Sequence, residues 1–439
     1  MIDKIFKLKE NQTTLRREVI GGITTFMAMS YIIFVQPVVL SACGMDKGAV
    51  TIATCIAAAA GTLFMAFLAN YPIALSPAMG HNFYFAYVVC LAMGVPWQTA
   101  LGANFISGAA FIVLALFGLR EKLINSVPQS LKNAIAVGIG LLIALIGLEW
   151  SGIIVRVEGT LIGLGDLKNA PVLLSLAGIL LISILLVLRI KGAILLGILA
   201  STLIALITGM SQYRGIAGTP PSISPTLFKL DIAGALSWEM LGVIFTLFFL
   251  DLFDTVGTLI GISEEAGFIK DGKLPRAKGA LLSDALATLG GTTLGTSTVT
   301  SYIESSTGVA EGARTGLANV VTALLFILAL FFYPLIQMVS AGYESSGITL
   351  YPIIAPALII VGVLMMGGIR KIDWSDFSES IPAFLTITIM SFSFSITEGI
   401  SFGFISYTLL KTVSRKSGQV PLLLKVFSIL FVLRYIFLK

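Results

Sequence analysis

Leu294–Glu311 reads LGTSTVTSYIESSTGVAE, and long apolar runs surround it. A stretch this rich in Ser, Thr and Gly, with a carboxylate at Glu304, is not a lipid-facing helix. Its first part, Gly295 to Thr300, is dense in β-branched and hydroxyl side chains and suits an extended strand. Ser301 stands three positions before Glu304, the spacing of a capping box, so a helix is expected to begin there with its first N–H groups turned inward. Irregular backbone at membrane depth persists only where protein or a wet cavity surrounds it. The stretch therefore predicts a substrate site built on a broken span.

Composition places this stretch inside a bilayer. Of 439 residues, 56% are hydrophobic and 12% charged, against about 25% charge in soluble domains, and the mean hydropathy is +0.97. At roughly 20 residues per span, an all-α polytopic membrane protein of about 12 to 14 crossings fits. The opening MIDKIFKLKENQTTLRREVI has no apolar core or small-residue cleavage site, so no cleavable leader is expected and the amino terminus should stay in the cytoplasm. Cys43, Cys55 and Cys90 are odd in number and lie in or beside apolar segments, so they read as packing residues, with no disulfide framework. The net charge of +5 is spread over the ends of apolar runs and not gathered in a patch, which argues against a nucleic-acid partner.

Fourteen apolar segments run from 19–40 to 399–410. With the first loop outside, the even-numbered turns collect Arg120, Lys122, Lys132, Arg189, Lys191, Lys270, Lys273, Arg276, Lys278, Arg314, Arg370 and Lys371. The positive-inside rule then gives fourteen spans with both tails cytoplasmic in a cell (inner) membrane. Pro421 to Leu438, interrupted by Lys425 and Arg434, is expected to be an amphipathic helix on the inner surface.

The third segment echoes the tenth. Ala74–Phe83, ALSPAMGHNF, is broken by Pro77 and Gly80 and carries Ser76, His81 and Asn82 where a plain span would have Leu. Asn82 and Glu304 are 304 − 82 = 222 positions apart, close to half the chain. Two broken segments in corresponding places point to an inverted-repeat transporter with its site at the midplane. If each repeat holds seven spans, an odd number, the second enters upside down.

Few acids interrupt the apolar runs: Asp251, Asp254, Asp284 and Glu304, with Glu149 and Glu398 at predicted ends. A charge at the bilayer centre costs several kcal/mol, so such residues face cavities or partners. Asp251 and Asp254, spaced i, i+3, share a helical face. Two close carboxylates in a poorly solvated site resist joint ionisation, so one is expected to hold a proton, as a proton-coupled carrier requires. The plainer readings are that Asp251, Asp254 or Asp284 satisfies freed backbone N–H groups and that Glu304 is only a capping acid. His81, the sole histidine, would be packed, and Phe83, Tyr84 and Phe85 would pack and not stack on a ligand. Asn82 offers donor and acceptor together, as the edge of a heterocycle demands.

FLDLFDTVGTL in the 250s, LPRAKGALLSDALATLGGTTLGTSTVTSYIESSTGVAEGARTGL and ITTFMAMSYIIFVQP near the amino end resemble the AzgA-like purine permeases of the nucleobase:cation symporter-2 family. The resemblance covers essentially the whole chain. It implies two inverted seven-span repeats with short β-strands in the broken third and tenth spans. It also implies a core from residues 1–118 and 236–342, a gate from 119–235 and 343–413, and a tail from 414. The purine contacts it implies are Asn82, Asp251 and Glu304, with Ala78, Met79 and Ile303 lining the site and His81 beside it. Asp254 would support proton coupling or the conformational step, and the acids expected to share the coupling are Asp254, Asp251, Glu304 and Asp284. His81 stands where the family commonly shows Leu. The expected function is import of purine bases, hypoxanthine and guanine first, by proton symport. H+ is the coupling ion, no metal or organic cofactor is expected, and pairing into a homodimer is left open.

Two other classes compete. An intramembrane aspartyl protease needs acids from different helices, whereas Asp251 and Asp254 share one. An anion carrier of the same architecture would offer positive charge or half-helix N-termini without carboxylates, and three acids argue against it.

Overall fold

The computed structural model describes residues 2–116, 127–157, 159–269, 274–345 and 347–437. The border expected at 118/119 and the topology residues Arg120, Lys122, Lys270 and Lys273 lie outside the described residues. In chain order the α-helices of five or more residues in the first half are α1 (Ile2–Phe6), α2 (Leu15–Met29), α3 (Ile32–Ser41), α4 (Lys47–Phe64), α5 (Met79–Phe83), α6 (Trp97–Leu116), α7 (Gln129–Trp150), α8 (Ala170–Val187) and α9 (Ala193–Ile207). The second half holds α10 (Leu241–Glu265), α11 (Ala277–Leu294), α12 (Ser305–Ala310), α13 (Gly316–Ala329), α14 (Tyr333–Val339), α15 (Ala355–Met365), α16 (Phe377–Phe392), α17 (Ile396–Val413) and α18 (Leu422–Phe437). Among the described residues, six helices are long and apolar enough to cross a membrane by length and composition.

The two halves repeat at a nearly constant offset. The starts of α2 and α10 differ by 241 − 15 = 226, and those of α7 and α15 by 355 − 129 = 226. The broken stretches obey the same spacing: strands β1 (Leu75–Pro77) and β4 (Val299–Ser301) start 299 − 75 = 224 apart. Two hairpins, β2 (Ile154–Val157) with β3 (Thr160–Leu164) and β5 (Tyr343–Ser345) with β6 (Ile348–Leu350), connect helices elsewhere.

β1 and β4 pair with each other, antiparallel, in the register Leu75↔Ser301, Ser76↔Thr300 and Pro77↔Val299. Every residue of both strands is buried. Their backbone groups must find partners inside the protein, because lipid offers none. The inner edge is the ladder itself, lengthened by Ala78 N–H to the Thr298 carbonyl (2.9 Å) and Tyr302 N–H to the Ala74 carbonyl (3.0 Å). The outer edges are closed by hydroxyls, which donate and accept at once. Thr62 of α4 donates to the Leu75 carbonyl and accepts from its N–H, both at 3.0 Å. Thr288 of α11 does the same for Val299, at 3.0 and 3.2 Å. The two threonines are 288 − 62 = 226 apart, so the repeat extends to individual hydrogen bonds.

Small residues let the halves close on each other, as expected where helices meet in lipid. A Cβ on Gly22 of α2 would come within 2.4 Å of the Ala318 carbonyl of α13, and one on Gly308 of α12 within 2.6 Å of the Gly21 carbonyl. Glu18, fully buried in α2, accepts from the N–H groups of Arg314 (2.8 Å) and Ala318 (3.2 Å) and so ties the entry of α13 to the first span.

Two expectations are corrected. The capping box does not form: α12 starts at Ser305, its N-cap is Glu304 without a side-chain capping bond, and Ser301 belongs to β4. The strand pairing keeps Ser301 extended, and the Glu304 carboxylate finds a stronger partner in a tyrosine hydroxyl described below. The carboxy-terminal helix departs from the surface placement too. α18 runs antiparallel along α10, Phe427 lying 4.6 Å from Phe249 and Phe431 6.1 Å from Phe245 between ring centroids. The two charges that argued for the surface are paired: Lys425 donates to Ser417 at 3.1 Å, and Arg434 meets Glu398 at 2.9 Å.

Candidate functional site

The β1–β4 ladder turns the ends of two short helices toward one cleft. α5 leaves β1 at Ala78, its N-cap, which offers no side-chain capping bond, and α12 leaves β4 through Tyr302, Ile303 and Glu304. Opposite them stand Ile139 and Ile143 of α7 and Val361 and Met365 of α15. The cleft between these walls measures 40 Å³ and is lined on the ladder side by Ala78, Met79, Thr300, Ile303 and Glu304, with Asp254 of α10 at its edge. It runs on into a 430 Å³ vestibule that shares Asp254, Thr258 and Ile303 and opens beside Lys132 and Lys371. Lining of this kind, apolar with a few convergent polar groups, is what small-molecule sites show. A larger cleft of 630 Å³ near Lys7, Tyr71 and Arg276 contains none of the expected site residues.

Glu304 is 6% exposed and accepts a 2.6 Å hydrogen bond from the Tyr31 hydroxyl. Tyr31 sits at the interruption between α2 and α3, where the first span breaks. Asp254 accepts from the Thr300 hydroxyl at 3.3 Å, so the second strand orients it. His81 lies behind that carboxylate, with Nδ1 3.8 Å from Asp254 Oδ2.

Asn82 is fully buried behind the cleft wall, and its amide donates to Gln36 Oε1 at 2.5 Å. Gln36 in turn donates to Thr296 (3.0 Å) and Ser297 (2.8 Å) just before β4. Thr298 donates to Asn104 of α6 at 2.8 Å. A polar layer thus braces the ladder from the side away from the cleft.

Of the residues expected from sequence, Glu304, Asp254, Ala78, Met79 and Ile303 come together at the cleft. Asn82, His81 and Asp251 stand one layer behind it; Asp251 is fully buried and accepts from Thr255 at 3.5 Å. Of the two acids of α10, the later one lines the cleft and the earlier one is enclosed in protein. Asp284 is buried on α11, whose helix packs on α4 and α6 and is apart from the cleft. Phe83 packs on Tyr87 (5.9 Å) and Trp150 (6.0 Å), and Phe85 is fully buried, so the aromatic run is packing. Sequence reasoning missed Tyr31, Gln36 and Thr300. The first two lie in ITTFMAMSYIIFVQP, where polar side chains interrupt an apolar run as Asn82 does.

Residues 16–404 match the model of the xanthine/uracil permeases, described simply as the Permease family. The chain belongs to this family. The permease is 48% identical over 440 residues to the putative permease MJ0326 of Methanocaldococcus jannaschii, covering 100% of this chain and 99% of that one. It is 44% identical to the adenine permease AdeP of Escherichia coli, over 100% and 96% of the two chains. With the guanine/hypoxanthine permease PbuG of Bacillus subtilis it shares 43% identity over 99% of each. Among solved structures, the transmembrane domain of the cyanobacterial bicarbonate transporter BicA superposes with a TM-score of 0.62 at 15% identity, over 89% of this chain and 97% of that one. That likeness is one of fold: an all-α polytopic membrane protein of two inverted seven-span repeats. The permease is a transport protein and not an enzyme.

Proposed function

We propose that this permease imports purine bases by proton symport, with hypoxanthine and guanine as its first substrates and adenine accepted. The observation that carries the reading is Glu304, a buried carboxylate fixed by Tyr31 at 2.6 Å on the lip of a flat cleft. A carboxylate only accepts hydrogen bonds, so it suits the ring N–H groups of a purine. The amides at the start of α5, beside Met79, meet the carbonyl edge. Ile139, Ile143, Val361 and Met365 cover the ring faces. Losing one charged hydrogen bond of this kind costs about 1.5 to 3 kcal/mol, roughly tenfold to more than a hundredfold in affinity.

Asp254 is the second acid at the cleft and carries the proton. Asp251 and Asn82 support the site from behind, and Asp284 stays with the core's packing. The core, α2–α6 with α10–α14, moves against the gate, α7–α9 with α15–α17, in an elevator cycle. The vestibule opens toward Lys132 and Lys371, the basic face that the positive-inside rule assigns to the cytoplasm. The structure is accordingly read as inward-facing, with the amino terminus on the cytoplasmic side of the cell membrane. The adenine and the guanine/hypoxanthine relatives support a purine substrate equally. The bicarbonate transporter shares only the fold, and the Glu304 carboxylate at the cleft would repel an anion.

The test is uptake of radiolabelled hypoxanthine into cells lacking their own purine carriers. Unlabelled guanine and adenine are expected to compete, sulfate and bicarbonate not to, and a protonophore to abolish accumulation. Uptake blocked by sulfate but not by purines would overturn the reading.

A further inference from the structure

We infer that His81 and Asp254 form a proton-sharing pair behind the cleft, and that His81 is the positioning residue that keeps the coupling proton on the core. The inference deepens the transport reading above and rests on it.

His81 is 1% exposed, on the first turn of α5. Neither ring nitrogen has a hydrogen-bond partner among the described residues. A buried polar group left without a partner costs about 1 to 3 kcal/mol, and a merely packed histidine normally avoids that cost by bonding to backbone or side chain. Here the Asp254 carboxylate stands beside the ring, its Oδ2 3.8 Å from Nδ1. The geometry is that of a pair one side-chain adjustment short of a hydrogen bond.

Asp254 has the access that His81 lacks. Its side chain is 21% exposed, and it lines both the cleft and the vestibule, so it can exchange a proton with water. The groups facing the pair are acidic or phenolic. The break before α3 contributes Tyr31, and the end of β4 leads to Tyr302 and Glu304. From α7 the facing side chain is Ile139, and from α17 it is Ile396, whose Cδ1 lies against Gly80. Lys132 of α7 and Lys371 line the same vestibule as Asp254, but among the described residues no cation lines the cleft itself, where Asp254 stands beside Glu304. One proton held between the carboxylate and the imidazole neutralises Asp254 there.

The step balances without any further reactant. A proton from water forms an O–H bond on Asp254, and His81 Nδ1 accepts the hydrogen bond from it. When the site opens to the other side, that O–H bond breaks and the proton returns to water. Thr300, 3.3 Å away on the same oxygen, keeps the carboxylate in place in both states.

The experiment is calorimetric titration of hypoxanthine into the purified full-length permease, in buffers of different ionisation enthalpy near neutral pH. The wild type should take up about one proton per base bound. Its affinity should fall by up to about tenfold per pH unit on the alkaline side. In His81→Leu and His81→Gln the proton count should drop below about half and the pH dependence flatten, with affinity at about pH 6 within roughly threefold of wild type. Gln retains a hydrogen-bond donor but not the basicity, so it separates packing from proton sharing. Wild-type proton counts in either variant, or wild-type binding with no proton exchange, would overturn the pair. A wild type that binds no purine at all would instead overturn the transport reading, and this inference with it.

Discussion

The two broken segments share one architecture and divide the labour unequally. Each supplies a three-residue strand and a short helix, and each strand's outer edge is closed by one threonine hydroxyl, Thr62 or Thr288. Yet the polar residue after the first strand, Asn82, is turned into the protein and held by Gln36, while the one after the second, Glu304, faces the cleft and is held by Tyr31. Both partners come from the first span. What the repeat conserves is the backbone scaffold, because unsatisfied amides are costly in lipid wherever they occur. What it frees is the side chain that follows, and there the two halves have specialised into brace and ligand contact.

The largest effect expected from this asymmetry is on Glu304. Glu304→Gln should lower hypoxanthine uptake by about a hundredfold or more, the upper end of the cost of a lost charged hydrogen bond of about 3 kcal/mol. Asn82→Ala, measured in the same assay, should lose only about tenfold, because it loosens the brace without removing the contact. Equal losses in the two variants would erase the distinction. A smaller effect sharpens the symmetric half of the comparison. Thr62→Val and Thr288→Val each leave a strand N–H and carbonyl unpaired, so each should destabilise the protein by about 1 to 3 kcal/mol. By thermal melting in detergent the two should match; a loss at only one of them would show that the repeat does not extend to hydrogen bonds.

Much of this was legible in the residues. Pro77 and Gly80, and the Ser/Thr run before Glu304, marked the breaks because such residues cannot serve a lipid-facing helix, and the interval of 222 positions between Asn82 and Glu304 foretold the repeat. What spacing could not resolve was direction. Asp251 and Asp254 share a helical face, but only the packing of α10 against β4 decides that Thr300 draws Asp254 to the cleft while Asp251 is enclosed. The capping-box spacing misled for the same reason: a local pairing of Ser301 and Glu304 lost to strand formation and to Tyr31, which is 273 residues away in sequence. Lys425 and Arg434 read as solvated charges in the sequence because their partners, Ser417 and Glu398, are brought to them only by the fold.

The central claim is that the base lies against the paired strands with a ring N–H on Glu304. Electron cryomicroscopy of the permease saturated with hypoxanthine tests it most directly. The account predicts planar density between the β1–β4 ladder and α7 and α15, within hydrogen-bond distance of the Glu304 carboxylate and beside Met79. Density for the base elsewhere, with the Tyr31–Glu304 bond intact and the cleft empty, would contradict it.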